Sequence, residues 1–421
     1  LYTLEDVEKT MRHVVTAEYG QELDLGDGIR LRFVDAGHLL GSASVEMWLT
    51  EGGETRKIVF SGDIGNKEQP IIRDPQYITE ADYVLTESTY GDRLHNVDEK
   101  PDYAADLAKI IDETLGRGGN VVIPSFAVGR TQELLYFIRE MKEQGMVKSV
   151  PDFPVYVDSP LAGEATRIFS GDLHGYLDED AIKALKGGSL FLFHNLCITE
   201  SSEESKGLNL DPTPKVIISA SGMCDAGRIR HHLKHNLWRP ECSIVFVGYQ
   251  AEGSLGRRLL DGVSSVKLFG EEIAVRAQIV RFHGLSSHAD RDGLLRWIDA
   301  YTTKPRQVFV VHGDAEVTEI YAQTLRDRGF AAHAPNYEEV YDLLADKLLA
   351  PGIPPQPRKG AATDEGAETG KKAYTPSPAY TRLEELGRKL LQVIGRYKGA
   401  PNKDVGRFAD QIKTLINRWD R

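Results

Sequence analysis

Cysteine is scarce in this 421-residue chain: Cys197, Cys224 and Cys242 are the whole set, with no Cys-x-x-Cys spacing. Three scattered thiols exclude a disulfide framework and a thiolate zinc site, and a cytoplasmic, reducing location is the simplest expectation. No run of eighteen apolar residues occurs, so no membrane-spanning helix and no membrane partner are expected. No signal-peptide pattern precedes the first helical stretch, and there is no internal repeat. Positive charge is in deficit, with 51 Lys and Arg against 63 Asp and Glu, a formal net charge of -12. That balance argues against non-specific nucleic-acid binding by the whole surface, but leaves a local basic cleft open.

The length allows two or three hydrophobic cores. The chain opens with Leu4, Val7, Met11 and Val14/Val15 at helical spacing. A helix without a preceding strand is an unusual start for an α/β domain, and an N-terminal part is expected to be missing. Residues 29–34, 43–49, 58–60 and 83–86 read as strands. From about residue 96, strands alternate with helices: 120–124, a helix over 130–144, then strands at 154–158, 216–219 and 244–247. This alternation predicts parallel βαβ units with helices on both faces. The strand 275–282 and the helix 290–300 then return to the first unit, followed by a strand at 308–311 and a helix at 316–328. The expected divisions are 1–95 and 266–350 for one domain in two parts, 96–265 for an inserted domain, 351–380 for a linker and 381–421 for a helical appendage. In the appendage, Thr381 and Glu384 fit a capping box. Leu383, Leu386, Leu390 and Val393 step +3, +4, +3, and Val405, Phe408, Ile412 and Leu415 repeat the steps, which predicts a helical hairpin. Ten Lys/Arg face five Asp/Glu there; the pair either docks on the main body or touches RNA or a partner protein.

Four strand endings carry candidate chemistry. His38 lies in Gly37-His38-Leu39-Leu40-Gly41-Ser42, Asp63 in Ser61-Gly62-Asp63-Ile64-Gly65, and His288 in His283-Gly284-Leu285-Ser286-Ser287-His288-Ala289-Asp290. His312 follows Phe309-Val310-Val311. Strand ends deliver side chains to a shared cleft in α/β sheets, so His, Asp, His and His at four such stops suggest a metal site built from distant segments. Each has a plain structural alternative: a core histidine, a turn-capping aspartate, a residue before a helix capped by Asp290, a strand end. Glu87, also at a strand end, is either a cap partner or a carboxylate that orients a histidine. On a helix His231 and His235 share a face; a metal pair, a phosphate contact with Arg228, Arg230 and Lys234, and a solvated face all fit.

These motifs, with Glu87-Ser88-Thr89-Tyr90-Gly91, Val311-His312-Gly313, Pro124-Ser125-Phe126-Ala127-Val128-Gly129-Arg130, Ser221-Gly222-Met223 and Gly248-Tyr249-Gln250, resemble those of the metallo-β-lactamase-fold ribonucleases with an inserted β-CASP domain. The resemblance covers about residues 1–345, in order. It implies an α/β fold: an αββα sandwich of metallo-β-lactamase type, N-terminally incomplete, with an inserted parallel α/β β-CASP domain, followed by the helical hairpin. It implies a zinc-dependent hydrolase of RNA phosphodiester bonds, two zincs per complete site, single-stranded RNA as partner and a possible homodimer. By resemblance His38 binds one zinc, Asp63 bridges two and His312 completes the second. Glu87 orients His288, which stabilises charge or gives a proton at the scissile phosphate. Ser221, Arg228, His232 and Lys234 are the expected RNA or phosphate contacts, and Arg130, Arg230, Arg257 and Arg258 are further candidates to line the RNA path.

One departure stands out. The family's site takes an upstream His-x-His-x-Asp-His loop, and no such stretch occurs among these residues. The expectation is a chain that begins after that loop. Two other readings remain: a noncatalytic RNA-binding or scaffold subunit of the same fold, and a small-molecule metallo-hydrolase. The long segment between Glu87 and His288 speaks against the latter, since a small-molecule site needs no such lid.

Overall fold

The computed structural model describes residues 2–95, 102–171, 173, 175–185, 188–282, 286–354, 376–398 and 401–419. The chain begins with helix α1 (Leu4–Met11), capped by Thr3, and five strands follow: β1 (Glu22–Gly26), β2 (Ile29–Asp35), β3 (Ala43–Glu51), β4 (Glu54–Phe60) and β5 (Tyr83–Thr86). The middle of the chain runs α2 (Tyr103–Gly116), β6 (Val121–Pro124), α3 (Arg130–Glu143), β7 (Val155–Val157), α4 (Pro160–Phe169), α5 (Glu179–Leu185), β8 (Leu196–Ile198), α6 (Ser202–Leu210), β9 (Val216–Ser219), α7 (Ile229–Asn236), β10 (Ser243–Phe246) and α8 (Leu255–Leu260). A hairpin of β11 (Ser265–Leu268) and β12 (Glu271–Ala274) precedes β13 (Gln278–Arg281). Then come α9 (Arg291–Ile298), β14 (Gln307–Val310), α10 (Ala315–Asp327), β15 (Ala332–His333), β16 (Val340–Asp342) and β17 (Lys347–Ala350), and finally α11 (Pro378–Arg396) and α12 (Asn402–Trp419).

Two sheets organise these elements. The first has the order β1-β2-β3-β4-β5-β14-β15, antiparallel through β4 and parallel from there on. The second, order β13-β10-β6-β9-β7-β8, is parallel throughout. A parallel sheet needs both faces covered, so its strands are apolar on both sides. In β6, Val121 and Ile123 join one core with Leu107, Leu134 and Ile138, while Val122 joins the opposite core with Leu233 and Phe246. Alternation along a strand sends neighbours to opposite faces, and each such fully buried residue contributes roughly 1.5–3 kcal/mol. In the first unit, Val84 and Val308 pack against Trp297 of α9 and Tyr321 of α10.

Two readings of the sequence need correction. The strand expected to open the return to the first unit is β13, which pairs in parallel with β10 and so belongs to the inserted sheet. Its run Gln-Ile-Val-Arg fits either sheet; the partner decides. The capping box expected at Thr381 gives way to Ser377, whose Oγ accepts a hydrogen bond from Tyr380 N at 3.2 Å, with Pro378 in the first turn. Proline preset for helical φ favours that earlier start. The expected linker 351–380 lies outside the described residues over 355–375.

Candidate active site

Short loops at the ends of β2, β4, β5 and β14 hold the candidate residues. After β2, Asp35 Oδ1 accepts a hydrogen bond from Gly37 N at 2.9 Å, and Ser42 Oγ accepts from His38 N and Leu39 N at 3.1 Å each. The loop thereby closes on itself and buries His38. After β4, Gly65 N donates to Ala36 O at 2.8 Å. The approach is so close that a Cβ on residue 65 would stand 1.7 Å from Gly37 O, so only glycine fits. Ala289 N donates to Ile64 O and Asn66 N to Ser287 O, which ties the His288 segment to the Asp63 loop. Ser88 N donates to His312 O at 3.1 Å, holding His312 at a positive φ of 52°. His283, Gly284 and Leu285 lie outside the described residues.

These loops bring the five predicted residues together. His38 Nε2 stands 3.7 Å from Asp63 Oδ2, and His312 Nε2 3.1 Å from Asp63 Oδ1. The two carboxylate oxygens thus face two different imidazoles. His288 Nδ1 donates to Glu87, at 3.1 Å from Oε2 and 3.3 Å from Oε1. The Glu87 side chain is 1% exposed, accepts from Ile64 N at 2.5 Å, and receives Thr89 N as well. Its carboxylate is held from several sides, which fixes the imidazole it orients. The His38 and His288 rings lie 4.4 Å apart, and His288 and His312 stack at 6.2 Å.

The environment splits the histidines. Burial holds the His38 pKa below the ordinary imidazole range; His288 adds to that, and Asp63 opposes it. Burial also acts to lower His288, but the hydrogen bond and charge of Glu87 outweigh it, and the net shift is upward. The two shifts run in opposite directions, His38 towards its neutral form and His288 towards its charged form.

The donor set fits a metal. His38 Nδ1 is buried without a hydrogen-bond partner, and the ligand atoms of His38, Asp63 and His288 lie within 4.8 Å of one another. The sequence reading kept His288 out of the ligand set; the geometry brings it to the edge of that set, while Glu87 occupies its Nδ1. A zinc ion takes about four donors, and the His38, Asp63 and His288 side chains offer one ligand atom each.

The expected phosphate contacts fare differently. His232 is fully buried; Nε2 lies 2.6 Å from Asp158 Oδ2 and Nδ1 3.0 Å from Asn209 Oδ1. Both ring nitrogens therefore face protein partners and none faces solvent, so His232 does not present itself to a phosphate. Arg228 donates to Asp158 Oδ1 at 2.8 Å and to Glu200 O, yet also lines a cavity of about 370 Å³ with Lys206, His231 and His235. Lys234 pairs with Glu271 at 2.5 Å, and Ser221 Oγ bonds to Ala226 O at 3.1 Å. Arg130 is buried against Glu133, and Arg230 lies over the Phe269 ring.

A cleft lies beside the site, and the sequence reading named only part of its lining. A cavity of about 360 Å³ between the two units is lined by Tyr90, Arg93, His95, Tyr249, Arg257 and Arg281, among others. His95 Nε2 lies 3.0 Å from His288 O, so the cleft adjoins the histidine cluster. Of the arginines named in advance, only Arg257 lines it. Tyr90 and Tyr249 sit inside recognised motifs, and their aromatic character was the available signal.

The chain matches family models and known proteins. The family model of the Beta-Casp domain matches residues 131–259, and that of the Zn-dependent metallo-hydrolase RNA specificity domain matches residues 272–335. The chain is 39% identical over 325 residues to Ribonuclease TTHA0252 of Thermus thermophilus, covering 77% of this chain and 72% of that protein. It is 31% identical over 325 residues to the RNase J-like protein of Methanocaldococcus jannaschii, covering 77% and 73%. It is 32% identical over 328 residues to the transcription termination factor FttA of Methanothermobacter thermautotrophicus, covering 74% of this chain and 49% of that factor. The chain thus spans about half the length of the archaeal termination factors it matches.

Proposed function

Because the chain belongs to the β-CASP family of metallo-β-lactamase-fold ribonucleases, we propose that it hydrolyses phosphodiester bonds of single-stranded RNA with two zinc ions, in the cytoplasm and as a homodimer. The carrying observation is Asp63, whose two oxygens face His38 and His312 separately. A carboxylate so placed is suited to bridge two cations. When bound, zinc supplies Lewis acidity and a hydroxide nucleophile near neutral pH.

The chain's own residues supply the rest. His38, Asp63 and His312 hold the metal. His288 carries a proton on a ring whose Nδ1 is fixed by Glu87, and its remaining nitrogen serves the leaving oxygen. Glu87 acts through His288 and is a positioning residue. Arg93, Arg257 and Arg281 contact RNA phosphates in the cleft, while Tyr90 and Tyr249 offer faces to bases. Arg228, with Lys206 beside it, remains a phosphate contact further along the inserted domain.

The test is zinc content per chain together with turnover of a labelled single-stranded RNA and of a thioester panel. Zinc-dependent RNA cleavage that His288→Ala abolishes is expected. RNA that is bound but left intact by zinc-loaded protein would favour the scaffold reading, and thioester turnover the small-molecule one.

A further inference from the structure

His95 lines the cleft beside the histidine cluster and has no task in the site as described so far. Three contacts fix it. Its main-chain N donates to Asp290 Oδ2 at 3.3 Å, its ring stands edge-on to Tyr90 with centroids 4.8 Å apart, and its Nε2 lies 3.0 Å from His288 O. Arg291 N also donates to Arg93 O at 3.0 Å, so the loop that carries His95 is tied to the His288 segment twice over.

The partner settles the tautomer. A carbonyl oxygen only accepts, so Nε2 carries the proton that it donates to His288 O. In the neutral ring Nδ1 is then an acceptor. Among the described residues Nδ1 meets no donor, and it is not one of the polar atoms sealed from solvent.

That acceptor stands among donors. Arg93, Arg257 and Arg281 line the same cleft, and a guanidinium group only donates. Such groups suit phosphate oxygens, but a phosphodiester has no proton to give in return. An acceptor on this track needs a different donor on the strand. Nucleic acids offer N–H groups on base edges and, in RNA alone, the 2′-hydroxyl. Base edges change from one nucleotide to the next. The 2′-hydroxyl recurs on every ribose, next to the phosphates that the arginines face. Since His95 is one hydrogen bond from the main chain of His288, the ribose it meets belongs to a nucleotide beside the scissile phosphate.

We infer that His95 is a specificity-determining residue: its Nδ1 accepts a hydrogen bond from the 2′-hydroxyl of that nucleotide and sets the preference of the cleft for RNA over DNA. The inference rests on the reading of this cleft as the path of the strand. The bond from Nε2 to His288 O keeps the acceptor aimed, so little of the gain is lost to ordering the ring on binding.

Fluorescence anisotropy on the metal-free full chain tests this without cleavage. The probes are oligouridine, oligodeoxyuridine and 2′-O-methyl oligouridine of one length. They share bases and phosphates, and only the first can donate from the 2′ position. The wild type is expected to bind oligouridine roughly 3–10-fold more tightly than the other two, as one neutral hydrogen bond at a solvated site allows. His95→Gln places an amide N–H where Nε2 was and leaves no acceptor at Nδ1; it should bind all three probes as the wild type binds oligodeoxyuridine. His95→Asn places an amide oxygen near Nδ1 and should keep the preference. Equal affinity of the wild type for the three probes overturns the inference, and that comparison needs no substitution to fold. A preference that survives His95→Gln overturns it too, as does a loss of equal size on every probe, which a prop for His288 or a phosphate contact would give. Zinc-loaded RNA cleavage, followed in parallel, reports on the site separately. Cleavage without sugar preference leaves the hydrolase reading standing and removes this one; a His95-dependent sugar preference without cleavage does the reverse.

Discussion

Gly65→Ala isolates the contact that seats His38. An alanine Cβ there would lie 1.7 Å from Gly37 O and 2.1 Å from Gly37 C, whereas ordinary contacts start at 3.4 Å and those under 3.0 Å essentially never occur. The two loops must part by roughly 1.3–1.7 Å, in an interior packed too densely to absorb it locally. Gly37 has little room to retreat, since Pro75 N and Arg73 O stand within 2.9 Å of where its own Cβ would be. Overpacking of this kind costs about 1–3 kcal/mol, or roughly 2–12 °C of melting temperature for a domain of this size. The functional loss should be larger, because His38 adjoins Gly37 and a misplacement of ~1 Å lowers a rate on the order of 100-fold. The assay is zinc affinity and RNA cleavage, measured well below the melting transition, beside a scan of thermal unfolding. Gly207→Ala is the control: it lies in α6 with open space around it and should be neutral or stabilising by about 0.5–1 kcal/mol. A Gly65→Ala protein that binds zinc and cleaves RNA within about three-fold of wild type would refute the argument that this backbone contact positions the ligand.

Three further outcomes are expected. Glu87→Gln removes the charge that raises His288 and should lower cleavage about 10–100-fold with zinc content retained; loss of zinc instead would make Glu87 part of the metal's support. Asp158 is buried, and hydrogen bonds from His232, Ser205, Thr199 and Arg228 overcome that burial and hold its pKa below the usual carboxylate range. Its contribution is therefore present above the unfolded value of about 3.9 and is lost as pH falls below it; urea titrations of Asp158→Asn should show a flatter acid limb than wild type, and an identical slope would remove Asp158 from acid denaturation. Arg257→Ala with Arg281→Ala should weaken RNA binding and reduce the slope of log affinity against log salt by roughly two; an unchanged slope would exclude the cleft between the units as the RNA path.

Much of the arrangement was legible because chemistry and fold coincide at strand ends. His38, Asp63, Glu87 and His312 each follow a short β-branched or aromatic run, and the structure gathers them with His288. What escaped depends on partners remote in sequence. Nothing in Gln278–Arg281 announces that it pairs with Ser243–Phe246 rather than with the first sheet. His232 sits among basic neighbours and looks like surface, yet Ile229, Leu233 and Asn236 on the same helix are buried with it. The residue that claims it, Asp158, ends a strand on the far side of α4, α5 and α6. Arg93 and Arg281 come together only once both sheets exist.

The distribution of the site along the chain also bears on how such a protein is made. His38, Asp63 and Glu87 leave the ribosome early, but β14, which carries His312 into place beside Asp63, pairs with β5 across the whole inserted domain. At ~5–20 residues per second of synthesis, that interval lasts on the order of tens of seconds. Until it ends, the nascent chain holds His38, Asp63 and Glu87 without the His312 that faces Asp63. On the proposed reading, a nuclease whose own message lies within reach cannot act before the His312 segment has folded back, so the interrupted topology delays activity until the inserted domain has been made.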